Sequence, residues 1–252
     1  MSERVTREAD RGHRRTTRDR ATGRATGRAN SLSRESIVEA ALDLMAREGA
    51  GALTLRRLGS ELGVDATAFY RHFPDKDSLL LAVGDHVTGW VLERVEAQRD
   101  DAGDWRDTVR LVARTSWEAA KLFPAAAALT FARTTGEVAE RRMVELLLAT
   151  AEPLSLDPAT TVRVYRMFAD TILAITQSNA LLESLEPSLQ DKNSSAWSRI
   201  YAAQQGDAFP VTRRHVAELL SVTEEDVFEF TIENLIRGVE GLVPGDAKAG
   251  KR

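Results

Sequence analysis

Helical periodicity, cut short at regular places, constrains this chain most. Ile37, Ala40, Ala41, Leu44 and Met45 recur at the spacing of one apolar helix stripe, and Ser33 stands where a helix N-cap belongs. Gly49 and Gly51 then stop that helix. Thr54 opens a short second one carrying Leu55, Leu58 and Leu62 and ending at Gly63; Asp65 caps a third, Ala66–Phe73, which Pro74 forbids from continuing. Further helices are expected over 79–96, 105–122, 124–133, 137–151, 159–185, 213–220 and 224–243, with caps at Asp157-Pro158 and at Thr223 with Asp226. Residues 186–211, polar and carrying two prolines, read as a long connection without helix. No stretch alternates with period two, so the fold class is all-α.

Charge is distributed unevenly. Residues 1–30 hold nine arginines against four acidic residues, a net of +5, while the whole chain carries −4, which leaves −9 on the remainder. The first 31 residues have almost no large apolar groups and are expected to be a disordered basic arm. Such an arm either touches nucleic acid or is a solvated tail without a partner, and both readings stand at this point. Residues 244–252 are expected to be a disordered tail. There is no cysteine, which excludes disulfides, thiolate metal sites and a cysteine nucleophile. No apolar run reaches the roughly 20 residues of a membrane span, and the N-terminus lacks the apolar core of an export signal. A cytoplasmic protein with no membrane partner is expected.

Three short helices with this punctuation form a helix-turn-helix behind a supporting helix, the expected DNA-binding domain spanning 32–85. On an α-helical wheel Ala66, Thr67, Tyr70 and Arg71 share one arc, with Ala68 and Phe69 opposite and Phe73 closing the core. The outward set suits a major groove. Ala66 and Thr67 permit close approach and contact with a thymine methyl, and Arg71 can fork onto guanine O6 and N7. Tyr70 can bond a phosphate. Thr54 at a helix N-terminus, exposed Arg56 and Lys76 at the next helix are further phosphate partners. Residues 31–85 nevertheless hold six basic against nine acidic side chains, so part of the nonspecific affinity is expected from the arm, through phosphates or the minor groove.

The run Leu53-Thr54-Leu55-Arg56-Arg57-Leu58-Gly59-Ser60-Glu61-Leu62-Gly63-Val64, followed by Tyr70, His72, Phe73, Lys76 and Leu79 in the pattern Y-x-H-F-x-x-K-x-x-L, resembles the DNA-binding domain of the TetR family over about residues 33–80. The resemblance implies that Thr54, Tyr70, His72 and Lys76 hold the DNA backbone while Ala66, Thr67 and Arg71 face bases. The wheel alone places His72 away from the groove side. Phe123-Pro124, Leu154 to Pro158 and the closing helix from Phe228 to Val239 are similar to the C-terminal domain of the tetracycline-repressor subgroup.

That similarity implies a larger helical ligand-binding and dimerisation domain over 86–243. Val162, Tyr165, Phe168, Ile172, Ile175 and Leu182 on one helix, and Val227, Phe230, Leu235, Ile236 and Val239 on another, are apolar over more than one stripe. Such helices need cover on two sides, which a second subunit supplies. A homodimer would place two reading heads about 34–36 Å apart on a palindromic double-stranded operator. Candidate walls for a small-molecule effector are Trp117, Phe131, Met143, Phe168 and Thr171, with Gln177 and Asn179 as polar groups, although such residues at helical spacing are more often plain core. Counting from Lys76, the positions where the subgroup places its drug and metal ligands hold Leu92, Arg110 and Ala128. No metal, magnesium, tetracycline or other cofactor is therefore expected. The four histidines have no metal-site spacing and no catalytic motif is present, so an enzyme is not expected; Asp85-His86 reads as a solvated pair. The reading is a ligand-released repressor. Its alternative from another class is a helical scaffold whose helix-turn-helix no longer reads DNA.

Overall fold

The computed structural model describes residues 32–99, 103–130, 133–202 and 208–243; the expected arm and tail lie outside them. Helices α1 (Arg34–Glu48) and α2 (Leu55–Leu62), a 3-10 helix (Ala66–Arg71), and α3 (Lys76–Gln98) follow in order. Then come α4 (Trp105–Leu122), α5 (Pro124–Thr130), α6 (Val138–Ala151) and α7 (Pro158–Glu183). The chain closes with α8 (Pro187–Ser194), α9 (Pro210–Arg214), α10 (Val216–Ser221) and α11 (Glu224–Leu242). No strand occurs among the described residues.

Local chemistry explains the boundaries. Ser33 accepts the Ser36 N–H while the Ser36 hydroxyl oxygen accepts the Ser33 N–H, a reciprocal cap on α1. Asp157 caps α7, and Thr223 with Asp226 forms the same reciprocal arrangement on α11. Each cap satisfies N–H groups that a helix start leaves without partners.

The chain from 186 onward differs from expectation. Pro187 and Pro210 sit in the first turns of α8 and α9, where a missing N–H removes no helical bond, so they start helices where the composition reads as connection. A π-helical turn, Ser198–Ala202, lies between them. The single helix expected over 213–220 is two, broken at His215.

α3 organises the interior. Leu79, Val83 and Val87 along its first half and Val91, Leu92 and Val95 along its second are all buried, and the helix packs against α1, α4, α5 and α6. One buried cluster therefore runs without interruption from Ile37 to Val239. The boundary expected at 85/86 falls inside α3. On α7 and α11, Phe168, Ile172, Ile236 and Val239 are buried, whereas Val162, Val227 and Phe230 are exposed, Phe230 by 69 %.

α3 crosses α5 at Gly84, where an added Cβ would lie 2.8 Å from the Thr130 Cβ. Thr130 is itself buried and held by its bond to the Ala126 carbonyl (2.7 Å), so it has little room to yield. Gly84→Ala should overpack this crossing and lower unfolding free energy by about 1–3 kcal/mol, measured by urea denaturation. Unchanged stability would mean that the two helices separate freely.

Candidate functional site

The helix-turn-helix is assembled by its punctuation. Thr54 Oγ1 accepts the Arg57 N–H (3.1 Å), starting α2 and leaving its own hydroxyl hydrogen free to donate outward. Gly63 ends α2 in the left-handed conformation (φ 66°), which glycine adopts without a Cβ penalty. The chain then turns back on Gly59, whose carbonyl accepts the Val64 N–H at 2.9 Å. A Cβ on Gly59 would lie 2.8 Å from the Val64 carbonyl oxygen, so this residue lets the turn close. Asp65 Oδ1 accepts both the N–H and the hydroxyl of Thr67 (2.8 and 2.6 Å). Those bonds hold the Asp65 carboxyl below its usual range, the Thr67 hydroxyl foremost. The Asp75 carboxyl is likewise lowered, chiefly by the Ser78 N–H that it caps.

The reading element is a 3-10 helix, where the sequence pattern predicts an α-helix through Phe73. With three residues per turn, side chains three apart eclipse. Phe69 is fully buried, and Ala66 and His72, in the same row, are half-buried. Thr67 and Tyr70 form an outward row, with Tyr70 58 % exposed, and Arg71 is exposed on the remaining one. The shorter period thus moves Ala66 from the outward arc of the α-helical wheel to the inward row.

His72 ends the element with its N–H bonded to the Phe69 carbonyl (2.8 Å). Its own carbonyl accepts from Arg34 Nη1 at 3.4 Å, and the Arg34 guanidinium lies 4.6 Å from the centre of the Phe73 ring. Phe69, Phe73, Leu58 and Leu53 are buried beneath. The reading element is thus fixed from below and open above.

Electrostatics select a few cations. Arg47 pairs with Glu61, Arg57 with Glu48 and Glu61, and Arg34 with Glu137. Among the described residues Arg56, Arg71 and Lys76 have no acidic partner and are exposed. Half of the basic side chains in this acidic region are neutralised internally.

The expected effector residues are not brought together. Met143 lines a cavity of about 110 Å³ between α3, α4, α5, α6 and α7. Trp117 instead stacks on Phe228 (ring centres 4.9 Å apart) beside a groove between α4 and α11. Phe168 borders a small void near Trp105, Thr171 is half-buried away from these spaces, and Asn179 lines a cleft against the 190–227 region. Gln177 Nε2 donates to the Ala128 carbonyl (3.0 Å), tying α7 to α5. Phe131 lies outside the described residues. Leu92 is buried and Arg110 pairs with Glu233.

Sequence reasoning missed most of the cavity wall, including Thr88, Ser116, Arg133, Glu140 and Tyr165. Burial raises the half-buried Tyr165 hydroxyl above its usual range. Only Gly84, a glycine inside a long helical pattern, hinted at the crossing. Asp85 is not a solvated residue either. It accepts the Ala139 and Glu140 N–H groups at the start of α6 (3.2 and 2.9 Å) and the Thr135 hydroxyl (3.3 Å).

The profile of the bacterial regulatory proteins of the tetR family matches residues 37–83, and that of the tetracyclin repressor-like C-terminal domain matches 98–243. The tetracycline repressor protein class C of Escherichia coli is 35 % identical over 81 residues, 32 % of this chain and 36 % of that protein. The nucleoid occlusion factor SlmA of Vibrio cholerae is 30 % identical over 80 residues, 31 % of this chain and 41 % of that one. The chain thus spans between a third and a half of the length of these curated relatives. A TetR regulator from Streptomyces coelicolor superimposes with a TM-score of 0.68 at 27 % identity, covering 84 % of this chain and all of that one. ActR of the same organism, solved with actinorhodin, has a TM-score of 0.67 at 21 % identity, covering 87 % and 99 %, a likeness of fold.

The turn offers a direct test. Gly59→Ala should force Val64 and the reading element apart and weaken operator binding more than Ser60→Ala, an exposed neighbour. Fluorescence anisotropy with equal binding by the two variants would show that the turn tolerates the displacement.

Proposed function

The chain belongs to the TetR family of transcription regulators, which are not enzymes, and on that premise we propose that it is a repressor released from a palindromic operator by a small molecule. The observation that carries this reading is the exposed, internally unpaired set Arg56, Arg71 and Lys76 around Thr67 and Tyr70, on an element anchored by Phe69 and Phe73. In this reading Arg71 forks onto a guanine, and Thr67 presents its methyl to a thymine because its hydroxyl is engaged by Asp65. Thr54, Arg56, Tyr70 and Lys76 hold phosphates. Ala66 lets the backbone approach, and His72 supports the end of the element from its half-buried position.

The reading head spans 32–85 and the regulatory body 86–243, with α3 belonging to both. The exposed apolar residues of α7 and α11, Val162, Leu181, Val227, Phe230 and Leu242, support a homodimer through those helices. Two heads then meet successive major grooves. Ligand in the cavity shifts α3 and alters the separation of the heads; a coupling of about 1–3 kcal/mol weakens operator binding roughly 5–150-fold. At about 110 Å³ the cavity is smaller than the roughly 300 Å³ of common ligand sites, so an effector must push the walls apart. Among the described residues no helix is long and apolar enough to cross a membrane, and a cytoplasmic site of action fits a DNA-bound regulator.

With three unpaired cations per head, much of the phosphate neutralisation falls to the nine arginines of residues 1–30. Replacing Arg14, Arg15, Arg18, Arg20 and Arg24 together by Gln should flatten the plot of log affinity against log salt by about 2 or more, at about 0.9 per lost phosphate contact. An unchanged slope would mean that the arm stays off DNA.

The decisive experiment is anisotropy with the promoter fragment flanking the protein's own gene. Arg71→Ala should cost about 1–3 kcal/mol and relax specificity at one base. Wild-type binding that is weak on every genomic fragment and indifferent to Arg71 would favour a scaffold instead.

A further inference from the structure

Arg133 occupies two places at once. It lines the cavity between α3 and α7, and its guanidinium also holds Asp77 in the first turn of α3 through two bonds, Nη1 to Oδ1 at 2.7 Å and Nη2 to Oδ2 at 2.9 Å. Among the described residues it is the one cation of the cavity wall, which is otherwise apolar with a few hydroxyls and Glu140. We propose that the effector is an organic carboxylate on an apolar body, and that its carboxylate takes the Arg133 guanidinium from Asp77. This rests on the reading of that cavity as the effector site.

The chemistry favours an anion over a cation. Glu140, the cavity's only acidic group among the described residues, is already committed to the protein. Its Oε2 accepts the Thr135 hydroxyl (3.0 Å) and the Gly136 N–H, and it stands in the first turn of α6, where a helix favours negative charge. A cationic ligand would have to dismantle that arrangement. Arg133 has a partner that is replaceable without loss, because Asp77 is exposed and regains water when released. A ligand carboxylate offers the same two oxygens to the same fork. Ser116 and Tyr165 add hydroxyls to the wall, and Val91, Met143 and Ile172 supply apolar surface.

The exchange reaches the reading head because the released partner lies there. Asp77 follows Lys76 directly and is four residues beyond Phe73, at the end of the reading element. Arg133 also opens a segment, 133–140, that holds the head at two other points. Asp85 of α3 accepts the N–H groups of Ala139 and Glu140, and Glu137 pairs with Arg34, whose guanidinium lies over Phe73. Removing the Asp77 bonds takes away one of three polar ties between this segment and the head, leaving those at Asp85 and Arg34 beside the packing of Leu79, so the ligand's charge and the position of the phosphate-binding Lys76 become linked.

Isothermal titration calorimetry on the full chain tests this with three acid–amide pairs of different shape: benzoate and benzamide, 2-naphthoate and 2-naphthamide, decanoate and decanamide. At least one acid should bind about tenfold or more tightly than its amide. Arg133→Gln should abolish that preference, and Arg133→Lys should restore part of it. Asp77→Asn should tighten the acid and leave the amide unchanged, since it removes the competing carboxylate; a merely structural role for the pair would weaken both. Acid and amide binding equally, no pair binding, or an acid preference that survives Arg133→Gln overturns the proposal. The titration contains no DNA, so its failure is separable from failure of the regulator reading, and operator release by neutral compounds alone would overturn only the anionic effector.

Discussion

The structure depends on α3 being buried on two flanks along its middle, with His86 exposed between them. Leu79, Val83 and Val87 in its first half and Val91, Leu92 and Val95 in its second are buried, and the helix packs against α1, α4, α5 and α6. A helix buried on both flanks cannot move without repacking one of them, because interiors are packed as densely as crystals. The crossing at Gly84 and Thr130 is a close approach within this arrangement. In the proposed regulation, an event that separates α3 from α5 or α6 would act through this one helix on the turn that carries Lys76.

Charge imposes a second constraint. The head is acidic overall, and three of its arginines are occupied by Glu48, Glu61 and Glu137. These exposed pairs add little stability individually. Their consequence is selective: they leave Arg56, Arg71 and Lys76 as the free positive charges of the folded head. A surface with few free cations binds polyanions poorly at random, so well-placed contacts count for more. The same economy is seen at Arg34, whose one side chain meets the His72 carbonyl, the Phe73 ring and Glu137.

Legibility in the sequence followed the range of the interactions involved. Boundaries set by caps were readable, since a cap is a contact between residues two or three apart: Ser33, Thr54, Asp65, Asp157 and Thr223 all sit where the pattern predicts. Prolines 187 and 210 were harder, because proline suits both a loop and the first turn of a helix. The reading element illustrates the difference in another way. Its residues and its cap were evident, but its 3-10 winding was not, and that winding puts the half-buried Ala66 in one row with Phe69. Among the described effector candidates only Met143 lines the cavity between α3 and α7, because aromatic and polar residues at helical spacing do not reveal which helices will cross.

By itself the sequence determined an all-α chain, a helix-turn-helix at 54–73 and a basic segment ahead of an acidic body, since apolar period, Gly and Pro punctuation and formal charge are properties of local sequence. Only the tertiary structure decided which charges remain free, because Glu48 reaches Arg57 from α1, Glu61 reaches back from α2 to Arg47, and Glu137 reaches Arg34 across 103 positions of chain. It alone decided where the cavity lies and that Arg133 stands between that cavity and Asp77, 56 positions away. Those facts follow from how five helices cross, and a crossing is set by long-range packing of side chains that no local pattern encodes.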